Sequence, residues 1–271
     1  APDRVVLALK KDGFVVLPNF LDRTEITEIL VNIERFIAEV IPSLPREQVF
    51  YEDPSSKDSL KQIQKMQTHD SYFGNLFNNK FKRLAEVLLE GPVVGQNMQY
   101  FNKPTKIGKP TPPHQDGYYF MLTPCEALTM WLALDEVDEE NGCVRYVRGS
   151  NHLTMRSHGR TGTLGFSQGI TDYGTDNDLA NEVALAAKPG DLLVHHAMTI
   201  HRADGNQSES RNRRAIGFIY YSQRAKIDTK AHAAYQKKLV LYKDTLNGKN
   251  IEPHSSNNDS LYDSHVITFH L

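Results

Sequence analysis

The stretch 93–221 is dominated by short segments in which apolar and polar residues alternate. A period of two is typical of strands whose two faces meet different surroundings. The segment 127–135 shows it clearly, and the dipeptide Asn141-Gly142 is a turn signal between two such segments. About eight strands of this kind predict an antiparallel, mainly β domain. We therefore predict a double-stranded β-helix, the jelly-roll or cupin-like barrel, over residues 93–223.

The first 92 residues carry a helical pattern instead. Asp22, followed three residues later by Glu25, forms a capping box that predicts the start of a helix, and Pro42 ends the apolar periodicity that follows. We interpret residues 1–92 as a helical buttress packed on the barrel. The remaining expectations there are a strand over 14–18, an irregular polar stretch over 43–63 and a second helix over 76–89.

Three further expectations concern the rest of the chain. The segments 182–187 and 192–196 flank the turn Lys188-Pro189-Gly190-Asp191 and are predicted to form a hairpin. The glycine-rich stretch 156–181 is predicted to be a mobile loop that covers the functional site, because loops of this length are usually functional. Residues 224–271 form a C-terminal extension, with a helical patch near 231–242 and a loop over 247–259. We expect one domain over 1–271.

Composition argues against several classes of protein. The 271 residues carry a formal net charge of −2, which gives no reason to expect nucleic acid or an anionic membrane as a partner. No apolar run approaches the ~18 residues of a membrane span, and the start lacks the pattern of a signal peptide. The only two cysteines are Cys125 and Cys143, so no disulfide framework is expected. We expect a cytoplasmic protein that acts on a small molecule, and the sequence does not indicate an oligomeric state.

The tripeptide His114-Gln115-Asp116 lies in one of the predicted strands, 111–122. Alternation along that strand would place His114 and Asp116 on one face, together with Tyr118 and Phe120. One imidazole and one carboxylate need a second imidazole to complete the two-histidine, one-carboxylate triad that binds Fe(II) on one side. His201 is the candidate for the third ligand.

The motifs around these residues occur in a characteristic order. They are Asp12-Gly13-Phe14-Val15-Val16-Leu17, Asn102-Lys103-Pro104, His114-Gln115-Asp116, Trp131-Leu132-Ala133-Leu134, Asn141-Gly142-Cys143-Val144, Gly169-Ile170-Thr171-Asp172-Tyr173, Pro189-Gly190-Asp191, Ile200-His201 and the stretch 206–213. No single motif is specific to one protein family, but the ordered set resembles the phytanoyl-CoA dioxygenase family of Fe(II)- and 2-oxoglutarate-dependent oxygenases. The resemblance covers most of the chain.

The resemblance implies roles at matching positions. His114, Asp116 and His201 would bind Fe(II) and form the catalytic centre. Arg213 would pair with the distal carboxylate of 2-oxoglutarate, since a guanidinium fork suits a carboxylate. Further positions that match cosubstrate contacts in relatives are Gln115, Trp131 and, as looser matches, Gln99 and Lys65.

The implied reaction uses dioxygen and 2-oxoglutarate, releases succinate and CO2, and hydroxylates an aliphatic C–H of a small-molecule substrate. The carboxylate of Asp116 favours hydroxylation over halogenation, because related halogenases carry a small residue there. Two alternatives stay open: a non-catalytic, cupin-like metal-binding module, and a metal-dependent cupin enzyme that needs no cosubstrate. Neither gives a reason for Arg213.

Strand alternation selects among the arginines of the cluster Arg211, Arg213 and Arg214. If Arg213 faces the barrel interior, small Ala215 and Gly217 share its face and leave room for a dicarboxylate. The opposite register would place Arg214 inside beside bulky residues, and a shift of one residue exchanges the faces completely. We therefore predict that Arg213 faces inward.

Two positions depart from the family pattern. Relatives often have a small hydroxyl residue two after the distal histidine, where this chain has Ala203, so one cosubstrate hydrogen bond is expected to be missing or replaced. The segment Arg148-Gly149-Ser150-Asn151 replaces a Pro-Gly-Ser-His sequence and is read as a turn, or as a change at the mouth of the site. The other histidines receive structural interpretations: His195 or His196 packs in a strand and donates to a backbone carbonyl, and His152 and His158 lie on the loop surface.

Overall fold

The computed structural model describes residues 2–160 and 169–246, with side chains up to residue 238. The part 161–168 of the predicted loop and the predicted loop 247–259 lie outside the described residues. In the described part of the chain, no helix is both long enough and apolar enough to cross a bilayer.

The strands fall mainly into two sheets. In chain order they are β1 (Phe14–Leu17), β2 (Val49–Tyr51), β3 (Leu60–Ile63), β4 (Val93–Lys103), β5 (Thr111–His114), β6 (Leu122–Thr123), β7 (Ala127–Ala133), β8 (Val144–Val147), β9 (His158–Gly159), β10 (Gly169–Ile170), β11 (Glu182–Leu185), β12 (Leu192–His196), β13 (His201–Ala203), β14 (Arg213–Ser222) and β15 (Lys226–Ile227). Within the described residues, the main sheet has the order β1-β12-β7-β14-β4-β3-β2 and the minor sheet the order β11-β8-β13-β5.

The helices flank this barrel. They are α1 (Pro2–Asp12), α2 (Arg23–Arg35), α3 (Met66–His69), α4 (Ser71–Phe77), α5 (Lys80–Leu88), α6 (Asp116–Phe120), α7 (Asp176–Asn181) and α8 (Thr229–Leu246). The predicted capping box is present: the Asp22 carboxylate accepts from the Glu25 backbone N–H, and the Glu25 carboxylate accepts from the Asp22 N–H. The helical patch expected near 231–242 lies within α8.

The two sheets face each other and enclose the barrel interior. One apolar cluster joins Trp131 and Leu193 of the main sheet to Val144 and Tyr146 of the minor sheet. The rings of Phe14 and Tyr146 stack across this space at 4.8 Å between centroids. The predicted double-stranded β-helix is therefore confirmed.

The outer face of the main sheet packs against the N-terminal helices. Ile216 and Phe218 of β14 belong to this second, larger cluster, and the Phe81 ring of α5 stacks on Phe218 at 3.9 Å. Ala215 belongs instead to the interior cluster. Because side chains alternate along a strand, Arg213 faces inward with Ala215, which confirms the predicted register.

The N-terminal region is less purely helical than predicted. The stretch 43–63, expected to be irregular, contains β2 and β3, which extend the main sheet beyond β4. The single helix expected over 76–89 is two helices, α4 and α5, because the chain turns at Asn78 and Asn79. The Asn78 amide donates to Gly74 O at 2.9 Å, a side-chain bond typical of residues that end helices.

The predicted hairpin over 182–196 is wrong. Strand β11 pairs with β8 in the minor sheet, whereas β12 pairs with β1 and β7 in the main sheet. The turn between them therefore carries the chain from one sheet to the other. Gly190 in this turn has φ +96°, and a Cβ there would lie 2.3 Å from Leu21 O, so only glycine fits.

The predicted strand over 111–122 is also wrong beyond His114. Strand β5 ends at His114, and α6 begins at Asp116. Gly117 lies close to neighbouring segments at this change. Its N–H donates to Ala197 O at 2.8 Å, and a Cβ there would lie 2.6 Å from Cys125 Sγ, so a residue without a side chain fits best. Tyr118 and Phe120 consequently do not share a strand face with the two candidate ligands.

Candidate metal centre

Three separate elements bring the predicted ligands together at one end of the barrel. His114 ends β5 and lies directly opposite His201, the first residue of β13, in the minor sheet. Asp116 opens α6 two residues after His114. The turn between β5 and α6 therefore brings the His114 and Asp116 side chains together, although no strand continues through Asp116.

The distances between the ligand atoms are short. Asp116 Oδ1 lies 3.3 Å from His114 Nε2 and 3.4 Å from His201 Nε2. One ligand atom from each of the three residues lies within 4.8 Å of the others, and all three residues are buried. The three ligand atoms are therefore close enough together to bind one metal ion, as a facial triad requires.

Backbone carbonyls orient both imidazoles. His114 Nδ1 lies 2.8 Å from Pro112 O, and His201 Nδ1 lies 3.0 Å from Thr199 O. A carbonyl oxygen only accepts, so each Nδ1 carries the proton and each Nε2 keeps a lone pair for a metal ion. Among the described residues, His201 Nε2 is buried without a hydrogen-bond donor, which fits a metal ligand.

The second oxygen of Asp116 is held by the main sheet. Thr129 Oγ1 donates to Asp116 Oδ2 at 2.8 Å, and His195 Nε2 lies 2.9 Å from the same atom. A carboxylate only accepts, so His195 donates from Nε2 and its Nδ1 accepts from the Tyr146 hydroxyl at 2.7 Å. Oδ2 is thereby engaged, and Oδ1 is left facing the two histidines.

Electrostatics favour the protonation states that a divalent metal needs. Burial tends to raise the pKa of Asp116, but the neighbouring His201 and His195 outweigh it and hold that pKa well below its usual range. Burial, followed by the neighbouring His195 and His114, lowers the pKa of His201 well below its usual value. One carboxylate and two imidazoles with these orientations fit Fe(II), as the donor set of a facial triad does.

Arg213 faces the same barrel interior and is fully buried. Its Nη1 donates to Gly142 O at 2.8 Å, and its guanidinium carbon lies 5.3 Å from the Trp131 ring centroid. Burial lowers the pKa of Arg213 to about 9. Its neighbours in the cluster point elsewhere: Arg214 pairs with Asp135, and Arg211 pairs with Asp138.

Gln99 and Trp131 flank Gly217 in one row across the inner face of the main sheet. Both side chains are buried, and in the described part of the chain neither the Gln99 amide nor Trp131 Nε1 has a hydrogen-bond partner. Such groups are costly to bury unless a ligand satisfies them. The space above Gly217 is not open, since a Cβ there would lie 2.7 Å from the Phe101 ring, so Gly217 makes room for Phe101.

Gln115 and Lys65 are placed differently. The Gln115 amide donates to Met198 O at 3.0 Å and accepts from Arg156 N at 2.9 Å, so it ties together two segments beside the centre. Lys65 is half-buried in the left-handed region, with φ +53°, and its N–H donates to Asn97 Oδ1. Cosubstrate contact by Gln115 and Lys65 stays a prediction.

The structure corrects the interpretation of two histidines. One of His195 and His196 was expected to pack in a strand and donate to a backbone carbonyl. His195 instead bonds to Asp116 and Tyr146, and His196 Nδ1 accepts from Met198 N. His158 is half-buried rather than exposed: its ring stacks on Tyr118 at 4.2 Å, and its Nε2 accepts from Gln115 N. His152, by contrast, is exposed and bonds to Lys11 O, as predicted.

Sequence reasoning missed Thr129, Tyr146 and the role of His195. The signal for two of them was strand alternation: Thr129 is two residues from Trp131, and His195 is two residues from Leu193, so each faces the interior. Alternation alone does not show which carboxylate such a residue reaches.

The two departures from the family pattern have distinct surroundings. Ala203 pairs with Thr111 on the neighbouring strand β5, which places a hydroxyl beside it. Arg148 forms an ion pair with Asp12 at 2.8 Å, and the Asn151 amide donates to Lys10 O at 2.9 Å. The segment 148–151 thus anchors the end of α1, and a role of Arg148 at the mouth of the site stays a prediction.

The family model described as phytanoyl-CoA dioxygenase (PhyH) matches residues 9–215. The chain belongs to the phytanoyl-CoA dioxygenase family. A relative in this family, the peroxisomal phytanoyl-CoA dioxygenase of Mus musculus, is 24% identical over 217 residues, which are 74% of this chain and 62% of the relative. The chain thus spans about three-fifths of the length of that relative.

Solved structures of similar fold include an enzyme named as an epimerase. The non-heme alpha ketoglutarate dependent epimerase SnoN from nogalamycin biosynthesis is 26% identical, with a TM-score of 0.65 over 83% of this chain and 84% of that chain. EctD from S. alaskensis, solved with 2-oxoglutarate and 5-hydroxyectoine, is 21% identical, with a TM-score of 0.67 over 82% of this chain and 77% of that chain. These likenesses agree with the jelly-roll architecture.

Proposed function

We propose that this protein is an Fe(II)- and 2-oxoglutarate-dependent dioxygenase that hydroxylates an aliphatic C–H of a small molecule. The observation that carries the proposal is the convergence of His114, Asp116 and His201 in the same barrel as the buried Arg213. Family membership supports the same activity. The cytoplasmic setting stays a prediction from the sequence.

Each residue has a defined task in the proposed reaction. His114, Asp116 and His201 would hold Fe(II) from one side and leave its other side accessible to ligands. When bound there with 2-oxoglutarate, Fe(II) supplies the oxidation of a C–H bond by dioxygen, with release of succinate and CO2. The chain supplies position and exclusion of water, because all three ligands are buried and their second atoms are fixed by hydrogen bonds.

Arg213 would orient the cosubstrate. Its guanidinium can bind the distal carboxylate of 2-oxoglutarate through two parallel N–H bonds, which fixes direction as well as strength. The arginine also separates the proposal from its two rivals. A metal-binding module and a cosubstrate-independent cupin enzyme each require the triad, but neither requires a buried arginine in the barrel interior.

The first experiment is anaerobic addition of Fe(II) and then 2-oxoglutarate to the metal-free protein. A weak visible charge-transfer band is expected only if the keto acid chelates the bound iron. Iron binding without the band would support one of the rivals and contradict the proposal.

The second experiment distinguishes the outcome of the oxidation. Candidate small molecules are incubated with Fe(II), 2-oxoglutarate and dioxygen, and products are analysed by mass spectrometry. Hydroxylation adds one oxygen atom for each succinate formed. A product of unchanged mass would instead indicate epimerisation, the activity named for SnoN.

A further inference from the structure

Lys103 is a second cation inside the barrel that no part of the proposed mechanism uses so far. It is the last residue of β4, is directly paired with Arg213 of β14, and is only 5% exposed. Phe101, two residues earlier, belongs to the interior cluster, so Lys103 enters the barrel from the same face of the sheet.

The contacts of Lys103 are neutral. Its Nζ donates to Thr111 Oγ1 at 3.0 Å and to Lys109 O. In the ranges 2–160 and 169–238, no carboxylate lies within salt-bridge distance of it. The carboxylates of Glu52 and Asp204 act on Lys103 only from beyond that distance. A buried ammonium without a directly paired anion is costly, so this position favours an anion from outside the chain.

Lys103 and Arg213 converge on one residue. Arg213 Nη1 donates to Gly142 O at 2.8 Å, and a Cβ on Gly142 would lie 3.1 Å from Lys103 Cδ. Burial, followed by the charge of Arg213, lowers the pKa of Lys103 well below its usual value. A carboxylate beside both side chains would offset both effects.

Thr111 lies in the same corner of the barrel. It is the cross-strand partner of Ala203, the position where relatives often have a hydroxyl. Thr111 Oγ1 is also the group that Lys103 contacts. The hydroxyl absent from β13 is therefore present one strand away, on β5, and is joined to the second cation.

We propose that Lys103, together with Thr111, completes the binding site for the distal carboxylate of 2-oxoglutarate that Arg213 begins. This inference rests on the proposed function and deepens it. Lys103 and Thr111 supply the hydrogen bond to the carboxylate that Ala203, which has no hydroxyl, does not make. The distal carboxylate is then bound by residues of three strands, β4, β5 and β14.

The test separates the distal carboxylate from the chelating end of the cosubstrate. Lys103→Met is compared with wild type in anaerobic titrations of the Fe(II) protein with 2-oxoglutarate and with 2-oxopentanoate, which has a methyl group in place of the distal carboxylate. The charge-transfer band is the readout. The variant is expected to bind 2-oxoglutarate about tenfold more weakly or worse, while its affinity for 2-oxopentanoate stays unchanged.

Two further variants keep the test decisive. Lys106→Met, at an exposed position of the loop after β4, is the matched control and is expected to match wild type with both keto acids. Thr111→Val keeps the volume of the side chain and is expected to weaken 2-oxoglutarate binding about threefold, in the range of a neutral hydrogen bond. If Lys103→Met does not fold, Thr111→Val provides the same test of the site.

Two outcomes would overturn the inference. Equal weakening with both keto acids would show that Lys103 only supports the fold, and unchanged affinity for 2-oxoglutarate would remove it from the site. Failure of the proposed function is distinct, because the wild-type protein would then show no band with either keto acid.

Discussion

Both faces of the main sheet are largely buried, but only the inner face carries buried cations among its apolar side chains. The outer face carries large apolar side chains, among them Met98 and Phe218, packed under the N-terminal helices. The inner face of the same strands carries Gln99, Lys103 and Arg213. The same strands thus contribute side chains both to the apolar core under the helices and to the barrel interior, and alternation along each strand determines which side chain lies on which face.

The difference shows where stability and binding reside. Burying apolar side chains on the outer face stabilises the fold, at roughly 25 cal/mol per Å² removed from water. Burying cations and unsatisfied amides on the inner face costs stability and is retained for a ligand. Substitutions on the outer face should therefore change the free energy of unfolding, and substitutions on the inner face should change affinity.

The largest effect is expected for Asp116→Ala. It removes the one carboxylate of the triad and leaves His195 and Thr129 without their acceptor. We expect no measurable hydroxylated product, with mass spectrometry of the products and succinate release as the measurements. Asp58→Ala, at an exposed position, is the control. Full hydroxylation activity of Asp116→Ala would remove Asp116 from the metal centre.

Phe218→Ala tests the outer face. The ring is fully buried and stacks on Phe81, so its loss should lower the free energy of unfolding by about 3–5 kcal/mol. Urea denaturation measures this change, and the folded fraction should bind 2-oxoglutarate normally. Val94→Ala, which changes a 47% exposed residue of β4, should alter stability by about 0.5 kcal/mol or less. A cosubstrate defect in folded Phe218→Ala would contradict the division between the faces.

Adjacent arginines provide the sharpest comparison. Arg213→Ala should weaken 2-oxoglutarate binding by roughly ten- to a hundred-fold, the range of a charged hydrogen bond, while iron binding persists. Arg213→Lys should recover part of the affinity, since an ammonium does not present a planar fork. Arg211→Ala and Arg214→Ala, which break outward ion pairs, should bind the cosubstrate like wild type. A binding defect in Arg214→Ala alone would contradict the proposal, because it would place the cosubstrate on the outer face of the sheet.

The smallest effect is expected for Tyr146→Phe. It removes the hydroxyl that donates to His195 Nδ1 and leaves the ring in its cluster. A neutral hydrogen bond contributes about 0.5–1.5 kcal/mol, so iron affinity should fall by about tenfold at most. Isothermal titration with Fe(II) under anaerobic conditions measures it. An unchanged affinity would mean that His195 is held by its other contacts alone.

The sequence was sufficient where alternation or a fixed spacing determines the outcome. Alternation along β14 placed Arg213 inward and Arg214 outward, and the capping box at Asp22 fixed the start of α2. Ordered motifs identified the three candidate ligands, and the structure brings them together.

Predictions failed where long-range contacts override the local pattern. The strand through Asp116 gave way to α6 because Gly117 packs against Ala197 and Cys125, residues that no local pattern connects to it. Likewise, β11 and β12 have the sequence of a hairpin, yet each finds a better partner in a different sheet. Lys103 is part of the motif Asn102-Lys103-Pro104, but its position opposite Arg213 depends on a strand pairing between distant parts of the chain.

The anchoring of the segment before His201 has a consequence for how the protein folds. Thr199 Oγ1 donates to Gly13 O across 186 positions of sequence, and β1 pairs with β12 in the same region. Contacts between such distant parts of a chain form slowly, because the loop between them must be closed first. During synthesis, β1 therefore cannot pair until β12 has been made, and the segment that precedes His201 gains its anchor at Gly13 only then.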